Sequence, residues 1–336
     1  MELEKILLTT LGEFVIRPYR DDDEAKVLEL WELSFQNQMP VDIWRWKFHN
    51  NPFGRQIMLC MNKDNLPVAM YSGIPFAANW QGRDVYFTQL IDNMSHPDFR
   101  QASSGRKSLF VQTAEHFFDV YGGQRGSIFY YGFPGKKHFK LGKILLNYSL
   151  IADGGHYLFA DSIQIKKKNF LSFGKVRKIS SVEKEFDVLW DAASRYYPFA
   201  IKRNRTFLQW RFCNHPTKQY HIYTYKSLTG KLLAYIVILI HGSIVKIVDI
   251  FSLPGQAPLF KIFQQIMVEL QQNSIFQIEV WLPQKHFIYN YLIAFGFKPK
   301  PEPLGIITTG RFFNDELNFN YINDTIYYTM GDGDLF

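Results

Sequence analysis

The residues of this sequence that could do chemistry lie in repeated patterns rather than in one catalytic signature. The sequence has no G-x-S-x-G for a serine nucleophile, no H-E-x-x-H for a zinc site, and neither a Walker loop nor a G-x-G-x-x-G loop for phosphate. Its two cysteines, Cys60 and Cys213, lack both C-x-x-C spacing and a nearby histidine cluster. We therefore expect two buried thiols and no bound metal.

Three patterns occur twice, in the same order in each half of the chain. The pairs are WKFHNNP (46–52) with WRFCNHP (210–216), residues 92–97 with 249–254 in the form D-x-[MF]-S-x-P, and residues 134–139 with 283–287. A chain of 336 residues has room for two domains, so the pairs predict a duplication of about 150 residues. Because the first pattern recurs, we expect Trp46 and Trp210 to pack a helix that Asn50 and Asn214 help to end.

The composition predicts a compact protein with an excess of positive charge. Hydrophobic residues make up 47% and aromatic residues 17%, and the formal net charge is +7. Basic clusters lie at 166–168, 175–178 and 202–205, which are either solvated surface or a site for a polyanion such as a phosphorylated cofactor, an acidic glycan or a nucleic acid. The N-terminus lacks a signal peptide pattern and no apolar run could span a membrane, which predicts a cytoplasmic protein.

Apolar periodicity and turn residues predict the same order of elements in both halves. Strands are predicted near 14–20, 57–61, 66–76, 84–94 and 127–133, then near 220–226, 231–240, 244–251 and 276–282. Helices are predicted near 21–34, 41–50, 110–122 and after Pro134, then near 182–196, around Trp210, and near 258–272 and 285–295. This β-α-α-β-β-β-α-β-α order predicts an α/β (mixed α+β) fold that occurs twice.

The stretch QLIDNMSHPDFR (89–100) resembles the GCN5-related N-acetyltransferase (GNAT) superfamily. There, a long strand leaves through H-P-x-[FY]-R into a Gly-containing turn and helix, and here YYGFP and a Pro-initiated helix follow. The ending GDGDLF is similar to that of bacterial acyltransferase-like members. The resemblance covers most of the chain and implies two tandem GNAT-like domains, each a mixed, mostly antiparallel central sheet flanked by helices.

The resemblance implies acetyl-CoA, or another acyl-CoA, as cosubstrate and no metal. The pantetheine arm would follow the strand at 90–95, and the pyrophosphate would bind the next loop, where small residues expose backbone N–H groups and a helix N-terminus adds a positive dipole. The loop RQASSGRKSLF is longer than the superfamily's usual R/Q-x-x-G-x-G/A. The residues implied for cosubstrate binding are Asn93, Met94, Ser95, Arg100, Ser103, Ser104, Gly105, Arg106, Lys107 and Ser108.

Acyl transfer to an amine needs a base for the amine proton and an acid for the leaving thiolate. The superfamily often has its base on the strand beside the thioester, which implies Asp92. Asp249 repeats that residue, so a turn-capping role for both stays open. The superfamily's tyrosine acid is missing from FKLGK (139–143), which leaves Tyr131 and Tyr130 as candidates, with aromatic packing as the alternative.

Two further groups remain open. His138 could act as acid or base, but His286 repeats it, which favours packing at a helix start. The carboxylates of Asp332, Asp334 and the terminal Phe336 could take part, as the chain's own C-terminus does in some tandem members of the superfamily.

Only the first half carries a basic cosubstrate loop. Its counterpart has no basic residue between Ser252 and Phe260, and Pro258 removes a backbone donor. We therefore predict an acyl-CoA-binding N-terminal GNAT-like domain at 1–150 and a connecting segment at 151–180. A C-terminal GNAT-like domain with a degenerate cofactor loop and a tail would follow at 181–336.

These predictions together describe an acyl-CoA dependent N-acyltransferase that acetylates a primary amine of an unidentified small molecule or peptide. Two alternatives from other classes stay open. A Fem-like aminoacyl-tRNA dependent transferase also resembles two GNAT domains, and its tRNA would account for the positive charge. A non-catalytic GNAT module would bind coenzyme A or a partner without acylating it. A nucleic acid partner is expected only under the tRNA alternative, and the oligomeric state is left open.

Overall fold

The computed structural model describes residues 3–100, 105–123, 126–151, 157–161, 173–271 and 277–336. The chain divides into two compact units. Unit 1 consists of Met1–Phe76, Tyr86–Leu150 and Thr309–Leu317, and unit 2 consists of Ala77–Val85, Ile151–Thr308 and Asn318–Phe336. Each unit has a mixed, mostly antiparallel sheet flanked by helices, so the predicted fold class is confirmed.

The first half of the chain follows the predicted order with one additional strand at each end. Its strands are β1 (Lys5–Thr9), β2 (Gly12–Pro18), β3 (Gln56–Met61), β4 (Pro67–Trp80), β5 (Arg83–Ser95), β6 (Phe129–Gly132) and β7 (Ser149–Leu150). Its helices are α1 (Glu24–Phe35), α2 (Val41–Phe48), α3 (Leu109–Tyr121) and α4 (Lys136–Leu145).

The second half has the predicted elements and several more. Its strands are β8 (Tyr157–Asp161), β9 (Gly174–Ile179), β10 (Phe199–Ile201), β11 (His221–Ser227), β12 (Leu232–His241), β13 (Ile244–Ser252), β14 (Gln277–Trp281), β15 (Lys298–Pro299), β16 (Thr309–Phe312) and β17 (Ile326–Tyr327). Its helices are α5 (Glu185–Ala193), α6 (Arg205–Leu208), α7 (Gln256–Gln271), α8 (Phe287–Phe295) and α9 (Phe319–Thr325), and a π-helix at Gln209–Cys213 continues α6. The described part of 151–180 holds the two strands β8 and β9.

The sheet of unit 1 has the order β1-β2-β3-β4-β5-β6-β16-β7, with β5 and β6 parallel. Helix α3 covers one face because its apolar residues recur at helical spacing: Val111, Ala114 and Phe118 are all buried. They pack with Met58 and Tyr71 of the neighbouring strands in one core. Burial of this stripe holds α3 against the sheet.

The main sheet of unit 2 has the order β15-β8-β14-β13-β12-β11-β9. Strands β9, β11, β12 and β13 pair in that order and are antiparallel, and β13 then pairs in parallel with β14. The strands from β2 to β6 also pair in sequence order and end in a parallel pair, β5 with β6. Helix α7 buries Leu259, Phe263 and Ile266 and follows β13 as α3 follows β5. The two halves therefore repeat one strand order. In addition, β10 pairs with β17 and with the end of β4 inside unit 2.

Each unit takes one strand from outside its own half of the repeat. In unit 1 the strand between β6 and β7 is β16, from near the end of the sequence. In unit 2 the corresponding strand between β14 and β15 is β8, which follows β7 in the sequence. The two copies thus exchange equivalent strands.

The repeated W-[KR]-F-x-N-[NH]-P pattern ends a helical segment in both copies, as predicted. Trp46 and Trp210 are buried. The backbone N–H of Asn50 donates to the carbonyl of Arg45 at 2.7 Å, and that of Asn214 donates to the carbonyl of Gln209 at 2.9 Å. Both bonds span five residues, so the two copies close in the same wide turn.

Candidate functional site

Strands β5 and β6 run side by side for only a short distance in unit 1. Their parallel register pairs Phe87 with Phe129, Thr88 with Tyr130 and Gln89 with Tyr131, while β5 continues to Ser95. Strand β6 ends at Gly132, so β5 continues from there to Ser95 without pairing to β6, and we call this remainder the parted section of β5. Backbone groups along a parted strand are available to hydrogen bond a bound chain, because each needs a partner when it is buried.

A bulge lies in the parted section of β5. Asp92 has a left-handed backbone with a φ of 53°, and the side-chain oxygen of Asn93 accepts from the N–H of Ser72 at 2.8 Å. The hydroxyl of Ser72 in turn donates to the carbonyl of Ile91 at 2.6 Å. These two bonds hold β4 to β5 across the irregularity. The side-chain oxygen of Asn93, predicted to bind the cosubstrate, is therefore used within the sheet.

Asp92 forms a buried ion pair with Lys47 of α2. The Lys47 Nζ lies 3.1 Å and 3.0 Å from the two carboxylate oxygens of Asp92, and the side chains are only 7% and 5% exposed. An ammonium in contact with both oxygens stabilises the carboxylate charge and occupies the positions where a base would take a proton. This geometry favours the structural role that the Asp92 and Asp249 repeat suggested. Lys47 was missed as a site residue, although the repeated [KR] position in the motif was a usable signal.

Arg100 and Ser95 brace the end of β5. The guanidinium of Arg100 donates to the carbonyls of Ser95 and Ser34, both at 3.0 Å, and the Ser34 hydroxyl also donates to the Ser95 carbonyl at 3.1 Å. Met94 is buried. Arg100, predicted to bind the cosubstrate, thus ties β5 to the end of α1.

The loop before α3 presents positive charge at a helix N-terminus. Residues Gly105–Lys107 form a 3-10 turn in which Gly105 has a φ of 63°, and Arg106 and Lys107 are exposed. Ser108 is the N-cap of α3, and its hydroxyl accepts from the N–H of Val111 at 3.3 Å. The predicted residues Ser103 and Ser104 lie outside the described part of the chain. Two exposed basic residues beside the first turn of a helix favour an anion such as a phosphate.

The two tyrosines predicted as possible acids face different surroundings. Tyr130 is fully buried, and its ring meets that of Phe118 edge to face at 5.1 Å. Burial raises the pKa of Tyr130 far above its usual value. Tyr131 faces the other side of β6, where its ring stacks on Phe129, and it forms the last pair with Gln89 before the strands part. The packing interpretation therefore fits Tyr130, while Tyr131 lies where the split begins.

The predicted histidine pair does not share one environment. The His286 ring is the buried N-cap of α8, and its Nδ1 accepts from the N–H of Ile288 at 3.4 Å. Burial lowers the pKa of His286 to about 3. His138, by contrast, is an exposed residue within the first turn of α4. Packing at a helix start is thus confirmed for His286 and wrong for His138.

The acidic residues of the tail lie in unit 2. Asp332 is buried and bonded to the guanidinium of Arg203, which also contacts Asp249 at 3.3 Å. The carbonyl oxygen of Phe336 accepts from Arg211 at 2.6 Å and from the Tyr220 hydroxyl at 2.7 Å. These bonds give Asp332 and Phe336 structural partners in unit 2.

The described residues contain no group of three or more histidine, cysteine or acidic side chains that could hold a metal ion. Cys60 is buried, and burial raises its thiol pKa to about 12. Burial also raises the pKa of the partly exposed Cys213. No helix in the part of the chain that the structure describes is long and apolar enough to cross a membrane.

Residues 15–134 match the model of the acetyltransferase (GNAT) domain. This part of the chain is therefore similar to a GNAT domain. It contains the parted strands, Asp92 with Lys47, and the basic loop before α3. A search of curated proteins finds no match.

Solved structures extend the likeness over most of the chain. A "Probable N-Acyltransferase" from Enterococcus faecalis V583 is 14% identical with a TM-score of 0.66, covering 89% of this chain and 72% of its own. A GCN5-related N-acetyltransferase from Anabaena variabilis is 10% identical with a TM-score of 0.66, covering 90% and 73%. Saccharomyces cerevisiae N-myristoyltransferase with bound myristoyl-CoA is 10% identical with a TM-score of 0.53, covering 92% and 80%. At these identities the likeness shows a GNAT-like fold and no more.

Proposed function

We propose that this protein is an acyl-CoA dependent N-acyltransferase that binds its cosubstrate in unit 1 and transfers an acetyl group to a primary amine. The observation that carries the proposal is that β5 continues beyond its pairing with β6 and that the exposed Arg106 and Lys107 lie at the start of the next helix, all within the matched residues 15–134. The parted backbone suits an amide-containing arm, and the basic helix start suits its phosphates.

The counterpart in the second half supports placing the cosubstrate in unit 1. The residues before α7 include no lysine or arginine between Ser252 and Phe260, and Pro258 lies in the first turn of the helix. A phosphate there would meet neither a cation nor a full set of N–H donors. We therefore propose one cosubstrate site per chain, in the N-terminal domain that we predicted at 1–150.

The proposed reaction is attack of the amine nitrogen on the thioester carbonyl carbon. The C–N bond forms, the C–S bond breaks, the amine proton leaves to water or a base, and the thiolate takes a proton. We propose Tyr131 as the source of that last proton, because it lies at the start of the strand split. The contacts of Asp92 with Lys47 support a positioning role for Asp92, and the packing of Tyr130 supports a core role.

Calorimetric titration with acetyl-CoA and with free coenzyme A tests the cosubstrate site. We expect binding by the parent protein and a loss of about ten- to a hundred-fold in affinity for Arg106→Ala/Lys107→Ala, because two charge-assisted contacts are removed. The matched control is Lys175→Ala/Arg177→Ala on β9, which removes the same charge from exposed positions in unit 2. Absence of binding by the parent protein would overturn the proposal.

Release of free thiol in the presence of acetyl-CoA and a panel of primary amines tests the chemistry. We expect Tyr131→Phe to lower kcat by about a hundred-fold with an unchanged KM for acetyl-CoA. Tyr130→Phe is the matched control, and its kcat should stay within about three-fold of the parent value. Equal effects of the two changes would remove Tyr131 from the proposed role.

The same measurements separate the two alternatives. A tRNA-dependent transferase would bind tRNA with an affinity that falls steeply as salt rises, and would ignore coenzyme A. A non-catalytic module would bind coenzyme A and release no thiol with any amine. The proposal requires coenzyme A binding together with amine-dependent release of thiol.

A further inference from the structure

Strands β13 and β14 of unit 2 part in the same way as β5 and β6. Their parallel register ends where Ile247 pairs with Val280, while β13 continues to Ser252. The remaining stretch of β13, Val248–Ser252, therefore presents a strand edge like that of residues 90–95 in unit 1.

The end of the sequence lies against this edge of β13. The hydroxyl of Tyr327 donates to the carbonyl of Ile250, and the hydroxyl of Thr329 donates to Asp249 at 2.9 Å. A Cβ added to Gly331 would come within 2.9 Å of the carbonyl oxygen of Val248. Three successive residues of the edge are thus covered by alternate residues of one segment.

The same segment also reaches the other strand of the split. The ring of Phe336 meets Trp281, the last residue of β14, edge to face at 4.9 Å. The ammonium of Lys246 lies 4.5 Å from the centre of the Phe336 ring. Residues Tyr327–Gly333 and Phe336 are buried. The segment therefore contacts both β13 and β14 and is itself largely buried.

Two buried arginines bind this segment. Arg203 is bonded to Asp332, and Arg211 donates to the carbonyl oxygens of Gly331 at 3.0 Å, Gly333 at 2.7 Å and Phe336 at 2.6 Å. Burial opposes the charge on Arg203, but Asp249 and Asp332 outweigh it and raise the pKa of Arg203 well above its usual value. Charge-assisted bonds to three main-chain oxygens and one side-chain carboxylate are the recognition expected for a bound acidic peptide.

We propose that residues 327–336, named here the tail segment, are the permanent occupant of the strand split in unit 2, and that they exclude a cosubstrate from the second copy. Unit 2 is then a peptide-binding site whose ligand is part of its own chain. The comparison with a cosubstrate site rests on the proposed function, whereas the contacts of the tail segment do not.

Gly331 is the residue whose change tests the proposal most directly. Its added Cβ would lie 2.8 Å from the ring of Phe212 as well as 2.9 Å from the carbonyl of Val248, and a backbone carbonyl cannot move aside cheaply. Gly331→Ala should therefore loosen the tail segment. Gly135→Ala is the matched control, because its Cβ would meet nothing within 4 Å and its backbone has no positive φ.

Hydrogen exchange of the full-length protein, read by mass spectrometry, reports the occupancy. We expect amides of the tail segment to be as protected as those of β13 in the parent protein and in Gly135→Ala. In Gly331→Ala, exchange of the tail segment and of residues 248–252 should rise together by about ten-fold or more, with unit 1 unchanged. Should Gly331→Ala fail to fold, Tyr220→Phe removes one bond to Phe336 and should raise exchange at 334–336 alone.

The number of coenzyme A molecules bound per chain, measured by calorimetry, completes the test. We expect one. Exchange of the tail segment in the parent protein at the rate of an exposed peptide, or two coenzyme A molecules per chain, would overturn the proposal. A protected tail segment in a protein that binds no coenzyme A would leave the occupied split standing and would refute the proposed function instead.

Discussion

The two copies of the W-[KR]-F-x-N-[NH]-P motif keep a buried cation at the same position and use it differently. In unit 1, Lys47 pairs with Asp92 on β5. In unit 2, Asp249 is neutralised by Arg203, and Arg211 donates to carbonyl oxygens of the tail segment. Both copies thus keep a buried basic residue at the [KR] position of the motif. Its partner is the acid on the split strand in unit 1 and the tail segment beside the split strand in unit 2.

The physical reason is the cost of burying charge. An acid on the edge of the split strand requires a cation when it is buried, because an unpaired buried carboxylate is strongly destabilising. In unit 1 the motif supplies that cation. In unit 2 Arg203 supplies it, which leaves the guanidinium of Arg211 available for a peptide backbone.

Separating the two halves of the chain should have the largest effect, because it should prevent unit 1 from folding. A fragment of residues 1–150 lacks β16, so β6 loses one of its two neighbouring strands and β7 loses the strand that pairs it to the sheet. We expect the fragment to aggregate, because an exposed edge is left inside the sheet. Joining residues 309–317 to it through a flexible linker should restore cooperative unfolding, measured by circular dichroism. A monomeric, cooperatively folded 1–150 fragment would contradict the importance of strand exchange.

Replacement of the buried Arg203 in unit 2 should have the second largest effect, a loss of stability. Arg203→Met leaves Asp249 and Asp332 buried without their shared partner, and we expect a loss of about 5 kcal/mol in the free energy of unfolding. Urea denaturation measures it. The exposed Arg195→Met is the control, with an expected change within about 0.5 kcal/mol. Similar losses for both variants would mean that the buried network has no special role.

The equivalent change in unit 1 should cost less. Lys47→Met leaves a single carboxylate, that of Asp92, and we expect a loss of about 3 kcal/mol. The double variant Lys47→Met/Asp92→Asn should recover more than half of that loss, because no buried charge remains. Additive losses in the double-mutant cycle would show that the two side chains are not coupled.

The dependence of stability on pH should reveal a smaller difference between the copies. The pKa of the buried His286 is lowered to about 3, so between pH 6.5 and 5 the unfolded chain takes up a proton at this residue that the folded chain does not. Stability contributed by His286 is therefore complete above pH 6.5 and falls by about 2 kcal/mol by pH 5. His286→Asn, which keeps an N-cap side chain, should flatten this slope in urea titrations. An unchanged slope would show that His286 titrates normally.

Much of the fold was predictable because it depends on local patterns. The apolar spacing of α3 and the Asn and Pro residues after α2 gave elements close to those observed. The segment 151–180 was predicted to be a connection because its lysines and glycines suggested a linker. The pairing of β8 with β14, over a hundred residues away, is a tertiary effect with no local signature.

The candidate site was also predictable only where it depends on local patterns. The basic loop and the N-cap at Ser108 could be recognised from residue types alone. The partners of Asp92 and Asp249 could not, because Lys47 and Arg203 lie about 45 residues before them and a basic residue ordinarily predicts an exposed position. One hint of an ion pair was present in the sequence, which is that both the [KR] position of the motif and the Asp position recur in the second half.

The exchange of β8 and β16 has a consequence for the history of the molecule. Each strand follows its own copy in the sequence and completes the sheet of the other copy. That is the arrangement a strand-swapped homodimer leaves when its two genes fuse head to tail, since swapping an identical element is a low-cost route to a dimer. An ancestor of this kind had two equivalent sites. On the two proposals made above, one of these sites now holds the tail segment and the other the cosubstrate.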